Sequence, residues 1–141
     1  MSSKAIATKG QRFAAYFIDQ IIAFMIPSGI ITAYVTSLKL PQDQLLKVSI
    51  ITQAGIFLFA FIVYYPGLTM LMEATIGKKL LGIKVASADG EELSLIQIFL
   101  RECVFRLLGT IIFGSIWLFF NDRNRTSWDI MAKSIVVKAD E

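Results

Sequence analysis

Arg12 and Asp19 stand seven residues apart in an otherwise apolar stretch, "RFAAYFIDQIIAFMIPSGIITAYV". On one helix that spacing is two turns, so both side chains leave the same face about 10 Å apart along the axis, with Tyr16 nearly between them. A carboxyl this far into an apolar run does not easily reach water. It must take up a proton or find a partner. Reaching Arg12 along one helix requires both side chains to stretch, so a basic or hydroxyl group from another segment is the expected partner. Intramembrane acids are functional candidates by default. The plainer account is a structural lock, in which Asp19 accepts hydrogen bonds from a neighbouring helix and fixes its packing. Glu73 closes a second apolar run and is expected near the cytoplasmic surface, at a depth similar to Arg12. The stretch Thr75-Ile76-Gly77-Lys78 that follows reads as a helix terminator, with Lys78 and Lys79 snorkelling at phosphate level.

Other chemistry is thinly provided. There is no histidine and only one cysteine, Cys103. The commonest metal ligand and neutral-pH proton shuttle are therefore absent, and an internal disulfide is excluded. "TIGKK" lacks the glycine pattern of a phosphate-cradling loop. Ser127 and Asp129 have no histidine to complete a triad. No catalytic, cofactor or metal site is expected, and the chain reads as a non-enzyme. A net charge of +3, carried mainly in loops, suits anionic lipid headgroups and not nucleic acid.

The elements that must position these groups are set by hydropathy. The chain of 141 residues is 55% apolar and 18% charged, with mean hydropathy +0.63. No charged residue falls between Asp19 and Lys39, between Lys47 and Glu73, or between Arg106 and Asp122. The first two runs are long enough to cross roughly 30 Å of hydrocarbon. They predict spans near 13–38 and 48–72, with kinks at Pro27 and at Tyr64-Tyr65-Pro66-Gly67. The first is read as a retained span, not a cleavable signal. The third run, Leu107 to Asn121, would reach only about 22 Å as a helix and is interrupted by Gly109 and Gly114. Before it, Ser94 can cap a helix that places Gln97, Arg101, Glu102 and Arg106 on one half of its circumference. Leu95, Ile96, Phe99, Leu100, Val104 and Leu107 fill the other half. That pattern suits a membrane-surface helix with snorkelling arginines. "GIKVAS" and "KSIVVK" are strand candidates, and Asp89-Gly90 a turn.

The fold class expected is an all-α membrane protein forming a single domain over residues 1–141. It has two full transmembrane helices, an interfacial amphipathic helix, a re-entrant or third apolar helix, and a short cytoplasmic β-strand pair. Three full spans is the alternative. Lys4, Lys9 and Arg12 in the leader, and Lys78, Lys79 and Lys84 in the 78–92 connector, put both on the cytoplasmic side of a cell membrane. Arg123, Arg125, Lys133 and Lys138 argue the same for the tail.

Three stretches resemble the RDD family in order and spacing. These are "QRFAAYFID", then "EATIGKKLLGIKVASADGEELSLIQIFLRE", then "NDRNRTSWDIMAKSIVV". The resemblance covers nearly the whole chain. It implies that the arginine and two aspartates of the family name fall on Arg12, Asp19 and Asp129. Trp128 stands where relatives often carry histidine, which puts any histidine-based role there in doubt. Lys133-Ser134 stands where a Gly-Thr pair is more usual. The resemblance further implies a bacterial, membrane-embedded protein with a transport association, some relatives being linked to sodium–proton exchange and others to membrane machinery.

Two functions follow as expectations. One is transport or coupling of monovalent cations or protons through a cluster of Arg12, Tyr16, Asp19, Glu73, Arg101 and Asp129. Two spans enclose no pathway, so this requires a homo-oligomer or membrane partner protein within the lipid bilayer. The other is a non-transporting accessory or regulatory partner of another complex. If the tail is cytoplasmic, Asp129 can return to Arg12 and tie the chain ends, with Tyr16 or Arg101 near Asp19. Asp129→Asn is then expected to loosen the fold, and Asp19→Asn mainly to affect function.

Overall fold

The computed structural model describes residues 5–89, 91–111 and 127–139. Two long apolar helices dominate: α1, Lys9–Ser37, of 29 residues, and α2, Gln42–Met72, of 31 residues. Both exceed the roughly 20 residues needed to cross hydrocarbon. Thr8 starts α1 with a reciprocal cap: its hydroxyl accepts the Gln11 N–H, and the Gln11 carboxamide oxygen accepts the Thr8 N–H.

The expected kinks take a specific form. Each helix contains one widened π-helical turn, Ile21–Met25 in α1 and Ala60–Tyr64 in α2. Each turn precedes a proline, Pro27 or Pro66. Proline has no N–H to donate, and its ring crowds the carbonyl four residues back. Those carbonyls belong to Ala23 and Ile62, inside the widened turns, where bonding steps out to the fifth residue: Ile26 N–H donates to Ile21 O and Tyr65 N–H to Ala60 O. Between the helices, the rings of Phe24, Phe57 and Phe61 pack with centroids 4.6–6.2 Å apart. The outward faces are oily, with Ile30, Ile50 and Ile51 among many exposed apolar side chains.

Helix α2 ends at Glu73, whose backbone is left-handed (φ 54°). A short helix, α3, Ile76–Leu80, then packs against α1. Strand β1, Ile83–Ser87, pairs antiparallel with β2, Ser134–Lys138, placing Val85 opposite Val136. The other edge of β2 takes the segment before α1: Ala7 N–H donates to Val136 O (3.0 Å) and Lys138 N–H to Ala5 O (2.9 Å). A small core of Ala7, Ala15, Ile83 and Val136 joins this sheet to the start of α1.

Residues 95–111 form α4, with a π-helical stretch at Leu100–Phe105, and Ser127–Met131 form α5. Ser94 and Gln97 cap α4 reciprocally, as the sequence indicates. The helix faces the opposite way from expectation. Arg101, Glu102 and Arg106 are buried, while Leu95, Ile96, Phe99 and Val104 are exposed. The arginines do not snorkel; they turn inward because carboxylates await them there. Most of the expected re-entrant run, 112–121, and the 121–125 cluster lie outside the described residues.

Candidate functional site

Asp19 is 2% exposed, and both of its oxygens are occupied. Tyr64, at the end of the widened turn of α2, donates its hydroxyl to Oδ1 (2.9 Å). The Gly77 N–H donates to the same oxygen (2.9 Å), and the Thr75 hydroxyl donates to Oδ2 (2.5 Å). The partner is thus a pair of hydroxyls and a backbone amide from two other elements; of the basic or hydroxyl group expected, the hydroxyl is what the fold supplies. Tyr16 shares the helix face but takes no part, and neither does Arg101.

Thr75 and Gly77 therefore do more than end a helix. α2 has already stopped at Glu73. Thr75 starts α3 without a side-chain cap, because its hydroxyl is spent on Asp19. Gly77 is required by proximity: a Cβ there would run into the Ala15 carbonyl oxygen and stand 2.9 Å from Asp19 Cγ. Next along α2, Gln20 Nε2 donates to the Tyr65 hydroxyl (3.1 Å), and the Arg106 guanidinium lies 4.1 Å from the centre of the Tyr65 ring.

A second group of charges adjoins the first. Asp129, fully buried on α5, accepts from Arg12 Nη2 and from Arg101 Nε and Nη2. This ties the start of α1 to the far end of the chain. Arg101 Nε also donates to Ser134 Oγ (2.8 Å). Glu102, fully buried, accepts from Arg101 Nη1 through Oε1 and from Arg106 Nε through Oε2 (2.9 Å). The Arg106 contact is an i, i+4 pair inside α4. Arg12, Arg101 and Asp129 thus meet, whereas Asp19 keeps its own separate set of donors. Glu73 does not join them: its carboxylate is 57% exposed and pairs with Lys84 (3.0 Å), because the left-handed turn that ends α2 swings it outward.

Lys78 overturns another expectation. It does not snorkel; it is 8% exposed, and its Nζ has no hydrogen-bond partner. It stands at ion-pair distance, 3.6 Å, from Glu102 Oε1, an oxygen already taken by Arg101. Burial pushes its pKa well below the usual lysine value, and Arg101 and Arg106 push the same way against Asp19 and Asp129. Neighbouring Lys79 is the exposed one.

Sequence reasoning missed Tyr64, Thr75, Gly77, Lys78, Glu102 and Arg106 as members of the site. One signal was present: Glu102 and Arg106 stand i, i+4 on a polar face. Tyr64 lies on α2, and Thr75, Gly77 and Lys78 form one stretch at the start of α3; the folding of α3 against α1 brings that stretch to Asp19.

The chain matches the model of the RDD family over residues 6–133. It is 32% identical over 142 residues to the "Uncharacterized protein YxaI" of Bacillus subtilis (strain 168), covering 89% of this chain and 93% of that one. No solved structure matches.

Proposed function

Because the chain belongs to the RDD family, with two apolar helices long enough to span a bilayer, we propose that it is a multi-pass protein of the bacterial cell membrane, N-terminus cytoplasmic, acting as a non-transporting accessory or regulatory partner of another membrane complex. The observation that carries this reading is the saturation of Asp19. A transport carboxylate must exchange its ligand, whereas this one is held by three donors from α2, Gly77 and Thr75. The packed rings of Phe24, Phe57 and Phe61 add apolar bulk between the spans. The topology is supported by β2: it pairs with β1 on one edge and with residues 5–7 on the other. Three full crossings would put β2 on the side opposite β1, so pairing favours two crossings with α4 at the interface or re-entering.

A second reading, coupling of monovalent cations or protons within a homo-oligomer, draws on the buried Lys78 amine among Arg101, Glu102, Arg106 and Asp129. Intramembrane titratable clusters of this kind serve as proton relays elsewhere. Purified protein reconstituted in liposomes with an internal pH dye separates the two. The accessory reading expects silent vesicles under imposed sodium and potassium gradients. Sodium-driven proton movement, abolished by Asp19→Asn in folded protein, would overturn it.

A further inference from the structure

We propose that the Lys78 side chain is a proton-binding site, occupied and vacated within the folded protein, that adjusts how α3 holds the first span. It goes beyond the accessory role and needs no transport. Every carboxylate of the cluster is engaged: Asp19 by Tyr64, Thr75 and Gly77, Glu102 by Arg101 and Arg106, Asp129 by Arg12 and Arg101. The Lys78 Nζ, with a side chain nine-tenths buried, makes no hydrogen bond. An ammonium carries three donors, and leaving all three unmade in a buried site is severely unfavourable. A neutral amine fits the same place far better.

The groups facing Lys78 define what a proton would meet. α1 offers Asp19; α4 offers Arg101, Glu102 and Arg106; α5 offers Asp129, itself paired with Arg12 of α1. β1, which also packs against α3, carries Lys84, engaged with Glu73. The arginines oppose a new positive charge and the carboxylates favour it. Glu102 Oε1, at 3.6 Å, is the acceptor within reach. The amine takes a proton from cytoplasmic water, becomes an ammonium, and must draw on Glu102 in competition with Arg101. Gly77, the adjacent residue, holds Asp19 through its N–H (2.9 Å). A shift of Lys78 toward Glu102 therefore acts directly on the contact between α3 and α1.

The sign of the pH dependence follows. A lysine whose pKa falls on folding binds fewer protons in the fold than in the unfolded chain over the window between the two pKa values. Stability therefore rises with pH across that window, up to the ordinary lysine value near 10.5, and the gain is lost as pH falls. The full chain in detergent micelles, melted from pH 6 to 10, gives the test. Relative to wild type, Lys78→Met should be favoured at low pH, and its Tm advantage should shrink by about 4 °C or more as pH rises toward 10. A Tm difference that does not vary with pH overturns the proposal. Should Lys78→Met fail to fold, wild type labelled with [13Cε]lysine decides by NMR. One resonance, absent in Lys78→Arg or shielded from a soluble relaxation agent, should titrate below the other lysines. Titration of every buried lysine resonance at or above the ordinary value, or none down to pH 5, overturns it.

Discussion

At the scale of single residues, close approach decides more than charge. The Gly77 N–H can reach Asp19 only because no Cβ intervenes. Gly77→Ala should lower stability by about 2–3 kcal/mol through overpacking and a lengthened hydrogen bond, read as a lowered Tm in micelles. An unchanged Tm would mean that α3 sits farther from α1. Asp19 was expected to matter for function more than for folding. Its three donors change that. Asp19→Asn puts an amide where only acceptors fit, so it should destabilise by about 2–3 kcal/mol. Asp129→Asn strips the partner of two buried arginines and should lose about 3–5 kcal/mol. Urea or thermal unfolding of the two variants side by side checks both values. Lys133 is a strained residue by contrast, with φ at 50° just before β2. Glycine adopts that conformation freely, so Lys133→Gly should gain about 0.5–1 kcal/mol. A loss of stability there would show that the lysine side chain makes a contact worth more than its backbone strain.

At the scale of elements, α4 carries the clearest lesson. Its amphipathy is real, but its polar half is the buried half. A helix with three charged side chains turned inward and isoleucine, leucine and phenylalanine turned outward matches an apolar medium around it. A nitroxide at Ile96→Cys, in a Cys103→Ser background, should be reached by oxygen and not by a water-soluble nickel chelate. The reverse preference would place that face in water. The widened turns of α1 and α2 belong to the same scale. Each relieves the crowding of a proline, and the one in α2 ends on Tyr64, the residue that binds Asp19. The widened turn thereby sets where the Tyr64 hydroxyl points.

At the scale of the whole molecule, two strands and a buried ion network join the chain's two ends. Residues 5–7, β1 and β2 form one hydrogen-bonded unit, and Arg12 to Asp129 closes the circuit through side chains. Cysteines introduced at Ala5 and Ala139, both exposed, should therefore react from the same side of sealed, oriented vesicles, in the Cys103→Ser background. Labelling from opposite sides would restore three full crossings and break the sheet from the topology.

Much of this was legible in the residues alone. Hydropathy determined the two long helices, because hydrocarbon demands an unbroken apolar run and the chain supplies two. Proline positions marked where those helices deform. The alternation in 83–87 marked one strand, the β-branched run in "KSIVVK" suggested its partner, and Ser94 marked the start of α4. The need of Asp19 for a basic or hydroxyl partner from another segment followed from the energetics of burial, and a cytoplasmic tail already allowed Asp129 to return to Arg12. What the tertiary structure decided was direction. A helical wheel divides polar from apolar but does not say which half meets the protein, so the inward turn of Arg101, Glu102 and Arg106 was not readable. Nor was the outward swing of Glu73, set by one left-handed residue, or the burial of Lys78 beside exposed Lys79. Those outcomes depend on which groups arrive from distant parts of the chain, and a one-dimensional pattern does not contain that proximity.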